Sequence, residues 1–252
     1  LIAGAVRAGG MPAARFTAVD PRPAVLEPLA ALGVHTAGAA AVAVAGHQLV
    51  VLAVKPQVSA QVLPELARVL APGQVVVSVM AGVTTARLES QLPDGVHVVR
   101  AMPQTLVRLG VGATVLCAGQ SAGTGALDLA RQLFDLVGTT VVLPEPLMDA
   151  ATGLAGSGPA YVYTLIQALT DAGVGVGLPR DVAQALTAQT LIGAARTVLE
   201  ENANPAVLRD QVTSPGGTTI AGLYELEAGG VRAALMRAVR AASDRSRELG
   251  SP

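Results

Sequence analysis

A doubly wound α/β domain followed by an all-helical region is the architecture this sequence predicts, on three observations. Strand candidates alternate with helix candidates from Arg15 to Pro144: RFTAVD, QLVVLAV ending at Val54, VVVSVM ending at Met80, HVVRAM, ATVLC and TTVVLP. Their apolar runs are continuous rather than alternating, as a sheet buried on both faces requires. After Pro144 only helical patterns remain.

Leu1 to Gly10 reads as the end of a helix closing on Gly9 and Gly10, and it leads into the first strand candidate. A helix feeding a parallel strand is the second half of a βαβ unit, so the expected partner strand and its glycine-rich turn lie upstream of Leu1. The segment from Ala37 to Val54 reads as helix, turn and buried strand, because Gly46, His47 and Gln48 interrupt it. Helices fit Val58 to Leu70 and Gly123 to Val137. Gly173, Gly175 and Gly177 follow a helical pattern and precede Pro179, which makes them a helix stop and not a dinucleotide fingerprint. Ser157 and Pro159 open one helix and Pro179 and Asp181 the next, to about Glu201. A short helix spans about Pro205 to Val212, and two more are separated by Gly229 and Gly230. The division expected is residues 1–146 for the α/β domain and 147–252 for the helical one.

Composition narrows the function. The chain is 51% hydrophobic and 14% charged, which places it among packed globular proteins. A net charge of −1 and 2% aromatic residues give neither a basic field for phosphate backbones nor rings for stacking bases, so nucleic acid is not an expected partner. No membrane span and no secretion signal are expected either. Cys117 is the only cysteine, which excludes an internal disulfide and any multi-cysteine metal site; no metal is expected, and a cytoplasmic location is. Lys55, at a strand end, is the only lysine.

In a doubly wound sheet, ligands sit beyond the carboxyl ends of the strands. Those ends carry Asp20 and Arg22, then Ala53, Val54, Lys55 and Pro56, then Ala81 and Gly82, and finally Met102 and Pro103. A second centre lies at Ser214 to Arg240. There Ser214 and Pro215 precede Gly216 and Gly217, two hydroxyls follow at Thr218 and Thr219, and Ile220, Leu223 and Leu226 repeat at helical spacing. The first N–H groups of such a helix attract a small anion, such as a carboxylate. Gly156-Ser157-Gly158 is not a nucleophile elbow, since Ala155 and Pro159 stand where glycines are needed; Ser157 is expected to cap a helix.

With these blocks in view, the chain resembles the pyrroline-5-carboxylate reductase family over essentially its whole length. The resemblance rests on LAVKP at 52–56, SVMAG at 78–82, RAMPQT at 100–105, DAATGLAGSGPAYVY at 149–163, AQTLIGAARTVLE at 188–200 and SPGGTTIAGLYELEAGGVRAALMRAV at 214–239. It implies reduction of the cyclic imine of pyrroline-5-carboxylate to proline with NADPH or NADH, and a homodimer or larger assembly whose C-terminal helices pair to complete the substrate pocket. By that likeness Val54, Lys55 and Ala81 lie along the cofactor, Asp20 stands where the adenosine ribose is read, and Gln211 faces the cofactor. Thr218 and Thr219 hold the substrate, and Glu145 lies on the substrate side.

The chemistry accords with these residue types. Hydride attack on a C=N carbon leaves electrons on nitrogen, which must then be protonated or hydrogen-bonded, and Thr219 can supply that bond. The substrate carboxylate would sit on the amides of Gly217 and Thr218. The sequence departs from the family pattern where Gln104 and Leu106 replace an asparagine and a proline, and where Ala40 replaces an asparagine. Asp20 would repel a 2′-phosphate that Arg22 could accept, which favours NADH weakly. A hydroxyacid dehydrogenase would draw a lysine or similar acid/base from its helices, and these helices have none. The other alternative is an inactive dimerising fragment lacking the glycine-rich turn.

Overall fold

In the computed structural model, which describes residues 1–250, the expected alternation is realised almost element for element. Helix α1 (Ile2–Arg7) ends before Gly9, whose φ of 73° is the left-handed conformation of a helix stop. Strand β1 (Thr17–Val19) pairs in parallel with β2 (His35–Ala37), connected through helix α2 (Pro23–Ala30). Helix α3 (Ala40–Ala43) leads to a five-stranded sheet of β3 (Leu49–Leu52), β4 (Val75–Ser78), β5 (His97–Pro103), β6 (Gly112–Ala118) and β7 (Gly138–Val142), in that spatial order. Helices α4 (Ser59–Ala67), α5 (Thr85–Glu89) and α6 (Thr124–Asp135) fill connections between them. β1 and β2 form a two-stranded parallel sheet of their own, and β3, β4 and β5 are mutually parallel neighbours in the five-stranded one.

The unbroken valine runs are explained by where they point. Successive side chains of a strand face opposite sides, so β4 sends Val75 and Val77 into one apolar cluster and Val76 into another. The first cluster packs on Ala126, Ala130, Leu133 and Phe134 of α6. The second packs on Leu63, Leu66 and Leu88 of α4 and α5. Every residue of β4 is buried, as a strand flanked on both sides demands.

Two features differ from the expectation. Strand β2 is not among the strand candidates and ends at Ala37, where the segment read as helix begins; His35 and Thr36 are exposed, so no apolar run marks it. Strand β6 runs antiparallel to β5, with Ala101 opposite Leu116. Only residues 104–111 connect them, a length too short for a crossover helix but sufficient for a reversal. Gln104 fastens that reversal: its side chain accepts from Ala113 N at 3.1 Å and donates to the Ala155 carbonyl at 2.6 Å.

After β7, helix α7 (Met148–Ala151) passes through a π-helical turn at Thr152–Gly156 into α8 (Gly158–Gly175). Ser157 has a helical backbone, φ −84° and ψ −17°, and donates its N–H to the Thr152 carbonyl at 2.9 Å. It is therefore the C-cap residue of the π turn and not an N-cap of α8, since an N-cap residue has an extended backbone. Helices α9 (Arg180–Glu201), α10 (Pro205–Gln211), α11 (Thr218–Ala228) and α12 (Val231–Gly250) follow.

The chain forms two compact units. One contains Leu1–Ser157 and the chain from Arg240 onward; the other is Gly158–Val239. The last half of α12 belongs to the first unit because Ser243 and Ser246 are buried there, with Ser246 Oγ donating to Asp149 at 2.7 Å. Within Gly158–Val239 only Thr170 and Ala183 are buried among the described residues, whereas Tyr163, Leu169, Leu186, Ile192 and Tyr224 stand exposed. Phe134 is the largest fully buried side chain of the first unit. Phe134→Ala should cost about 3–5 kcal/mol of stability, read as a lower urea midpoint with an unchanged slope.

Candidate active site

β3, β4 and β5 run in parallel, so their carboxyl ends bring the expected cofactor residues that follow them to one edge of the five-stranded sheet. Asp20 follows β1, and its carboxylate accepts from Arg22 three times: from the backbone N at 2.9 Å, Nε at 3.0 Å and Nη2 at 3.1 Å. Those bonds hold the Asp20 pKa below its usual value. Ala53 to Pro56 follow β3. Ala53 and Lys55 are exposed, and Ser59 Oγ donates to the Pro56 carbonyl at 2.6 Å, fixing the turn into α4.

Beyond β4 and β5 lies a cleft of about 290 Å³ lined by Val79, Met80, Ala81, Arg100, Ala101, Met102, Pro103 and Thr152. Ala81, Met102 and Pro103 are thus brought together, with Gly82 beside them. Gly82 has φ 72°, and a Cβ there would stand 3.0 Å from the Gly250 backbone at the end of α12, so no other residue fits easily. A Cβ on Gly156, in the π turn, would meet Met102 Sδ at 3.0 Å.

The charge in this cleft was not anticipated. Arg100 is a single cation at the end of a valine run, and it is 5% exposed. Its Nη1 donates to Glu145 Oε1, while Glu145 Oε2 accepts from the Thr85 N–H at 3.2 Å and from its hydroxyl at 2.9 Å. Cys117 Sγ lies 3.7 Å from the same oxygen. Burial alone would raise the Glu145 pKa, but the bonds from Arg100 and Thr85 and the Arg100 charge outweigh it and hold the carboxyl below its usual range. Burial first, then the charge of Glu145 and the bond to it, push the Cys117 thiol up to about 11. The visible signal was HVVRAM itself: a buried guanidinium in a strand requires a carboxylate partner. That Thr85 would join it could not be read from a neighbouring position, since 60 residues separate it from Glu145.

In the second unit, Gly217 is the N-cap of α11; its φ of −78° and ψ of 177° are extended, and no side chain caps the helix. Ser214 accepts the Gly217 N–H on its carbonyl at 3.1 Å, closing a turn in which Gly216 has φ 69°. A side chain on Gly217 would collide with Ser214 Oγ. Thr218 is exposed and Thr219 half-buried in the first turn of the helix. Gln211 is the exposed last residue of α10.

Residues 145–249 match the family model for pyrroline-5-carboxylate reductase dimerisation, and residues 1–82 match that for NADP oxidoreductase, coenzyme F420-dependent. A pyrroline-5-carboxylate reductase of Methanosarcina acetivorans is 41% identical over 251 residues, covering 99% of this chain and 93% of that protein. The chain belongs to the pyrroline-5-carboxylate reductase family. A solved member from Coxiella burnetii superimposes with a TM-score of 0.93 at 34% identity, over 100% of this chain and 94% of its own. Another, from Plasmodium falciparum and solved with NADP bound, gives 0.87 at 28% identity, over 99% and 92%. The fold of the reductase family, a Rossmann-like domain followed by a helical dimerisation domain, is therefore the fold of this chain.

Glu145→Ala would leave the Arg100 guanidinium buried without its partner and should cost about 3–5 kcal/mol, measured by urea denaturation at neutral pH. Because the folded carboxyl is more acidic than the unfolded one, its contribution is complete above the ordinary glutamate value of about 4.3 and is lost as pH falls through the folded value. Wild-type protein should accordingly lose more stability than Glu145→Gln between about pH 5 and pH 3.

Proposed function

We propose that this chain reduces 1-pyrroline-5-carboxylate to proline with NADPH or NADH, as a homodimer in the cytoplasm. Membership of the reductase family along nearly the full chain carries the reading. The open helix start at Gly217 to Thr219 and the strand-end cleft in the other unit supply the two chemical functions it needs. No helix among the described residues is long and apolar enough to cross a membrane.

The strand ends suit a nicotinamide dinucleotide. Ala81, Met102 and Pro103 offer an apolar wall for a flat ring, and Gly82 lets the chain turn without a side chain. Ala53, Val54, Lys55 and Pro56 would follow the dinucleotide along β3. The Asp20–Arg22 pair offers a carboxylate to a ribose diol and a guanidinium to a 2′-phosphate, so either donor can be read. Gln211 faces the cofactor in this reading. When bound, the dinucleotide supplies a hydride.

The protein's own groups do the rest. The substrate carboxylate accepts from the first turn of α11, at the N–H groups of Thr218 and Thr219, because the Gly217 N–H is already taken by the Ser214 carbonyl; there the helix dipole favours an anion and no cation need be buried. Gly216 keeps that approach clear. Hydride enters the imine carbon, the C=N π electrons move to nitrogen, and the Thr219 hydroxyl donates to that nitrogen, which gains one proton to become the amine of proline. Glu145 has both oxygens engaged by Arg100 and Thr85 and would repel an anionic substrate, so its role here is to shape the cleft.

A dimer follows from the second unit, whose large apolar side chains are exposed while only two residues among those described are buried. Thr219→Val keeps the β-branched shape and removes the hydroxyl. Turnover of pyrroline-5-carboxylate should fall roughly 10²- to 10³-fold, with cofactor affinity and melting temperature nearly unchanged. Intact turnover with a lowered melting temperature would assign Thr219 to packing instead.

A further inference from the structure

Arg100 places a permanent positive charge in the wall of the strand-end cleft, and no other lining residue is charged. This matters because a nicotinamide ring is neutral while it carries the hydride and cationic once the hydride has left. A bare guanidinium beside it would favour the reduced form and oppose the charge that develops during transfer. The structure supplies a countercharge at one fixed place, since Glu145 takes Arg100 on one oxygen and Thr85 on the other. The Thr85 bonds keep that carboxylate from swinging away. Cys117, the remaining titratable group against it, is a neutral thiol at working pH. The acid on the adjoining helix, Asp149, is occupied by Ser246.

We propose that the Arg100–Glu145 pair sets the relative affinity of the cleft for oxidised and reduced nicotinamide, Glu145 masking a charge that would otherwise expel the oxidised ring. The inference rests on the assignment of the nicotinamide to this cleft. It also gives a reason for Arg100 to be charged and paired, instead of apolar like its strand neighbours Val98, Val99 and Ala101. A pair that is neutral as a whole lets the ring become cationic without a change in the net charge it faces.

The two partners carry opposite charges, so their removal must act with opposite signs. Dissociation constants for NADPH and NADP⁺ would be measured by calorimetry at pH 8 and low salt, on the full chain and on Glu145→Gln, Arg100→Gln and the double variant. Glu145→Gln should raise the ratio of the oxidised to the reduced constant by at least about fivefold. Arg100→Gln should lower it, and the double variant should return it to within about twofold of the starting value. Arg100→Gln leaves no cation buried alone, so it tests the idea even if Glu145→Gln does not fold; circular dichroism reports on both.

A purely structural pair predicts that each single variant weakens both forms equally, and an unchanged ratio in a folded Arg100→Gln protein would overturn the proposal. Wild-type protein that binds neither form would be a different result, removing the cofactor assignment and this inference with it.

Discussion

A guanidinium withdrawn from water has to be met by a carboxylate, and in this chain the meeting of Arg100 with Glu145 ties together the segments that build the cleft. Arg100 comes from β5, whose valines make the centre of the sheet. Glu145 opens the short turn before α7, and Thr85 begins α5, just after the Ala81–Gly82 loop. One carboxylate thus fixes the middle of a strand, the start of a helix and the exit from the α/β layers. Apolar packing alone would hold the sheet together, but it is indifferent to small displacements of these loops. Charge-assisted bonds are not, because their strength depends on direction as well as distance.

The two units solve different physical problems. In the first, Val75, Val77 and Phe134 on one face of the sheet and Val76, Leu63 and Leu66 on the other provide buried layers, so the strand ends are held by a rigid frame. The second has long helices, α8 and α9 above all, yet few buried side chains of its own. Helices of that kind are stabilised by what covers their apolar faces. A family defined by a dimerisation domain in this region meets that need with a second copy.

Much of this was visible in the sequence, for identifiable reasons. A buried parallel strand requires an unbroken apolar run, and the runs ending at Val54 and Met80 showed themselves for that cause, the strands themselves stopping two residues earlier at Leu52 and Ser78. The stops at Gly9 and Gly177 were legible because positive φ selects glycine. Strand β2 was not, since an exposed edge imposes no pattern, and neither was the antiparallel β6, whose direction is decided by the length of a loop. Ser157 was expected to cap a helix and instead closes the π turn that joins α7 to α8, with a helical backbone that no apolar spacing announces. Among site residues, Ala81, Met102 and Pro103 do line one cleft, whereas the bond between Thr85 and Glu145 depends on a fold that no local spacing encodes.

In the proposed reaction hydride passes from a nicotinamide to the imine carbon of a small cyclic substrate. Reduced cofactor carrying deuterium at the transferred position of its C4, incubated with this chain and pyrroline-5-carboxylate, tests it most directly by mass spectrometry of the product. The account predicts proline heavier by a single deuterium, located on the former imine carbon. Proline without deuterium, or oxidation of the cofactor with no proline formed, would contradict it.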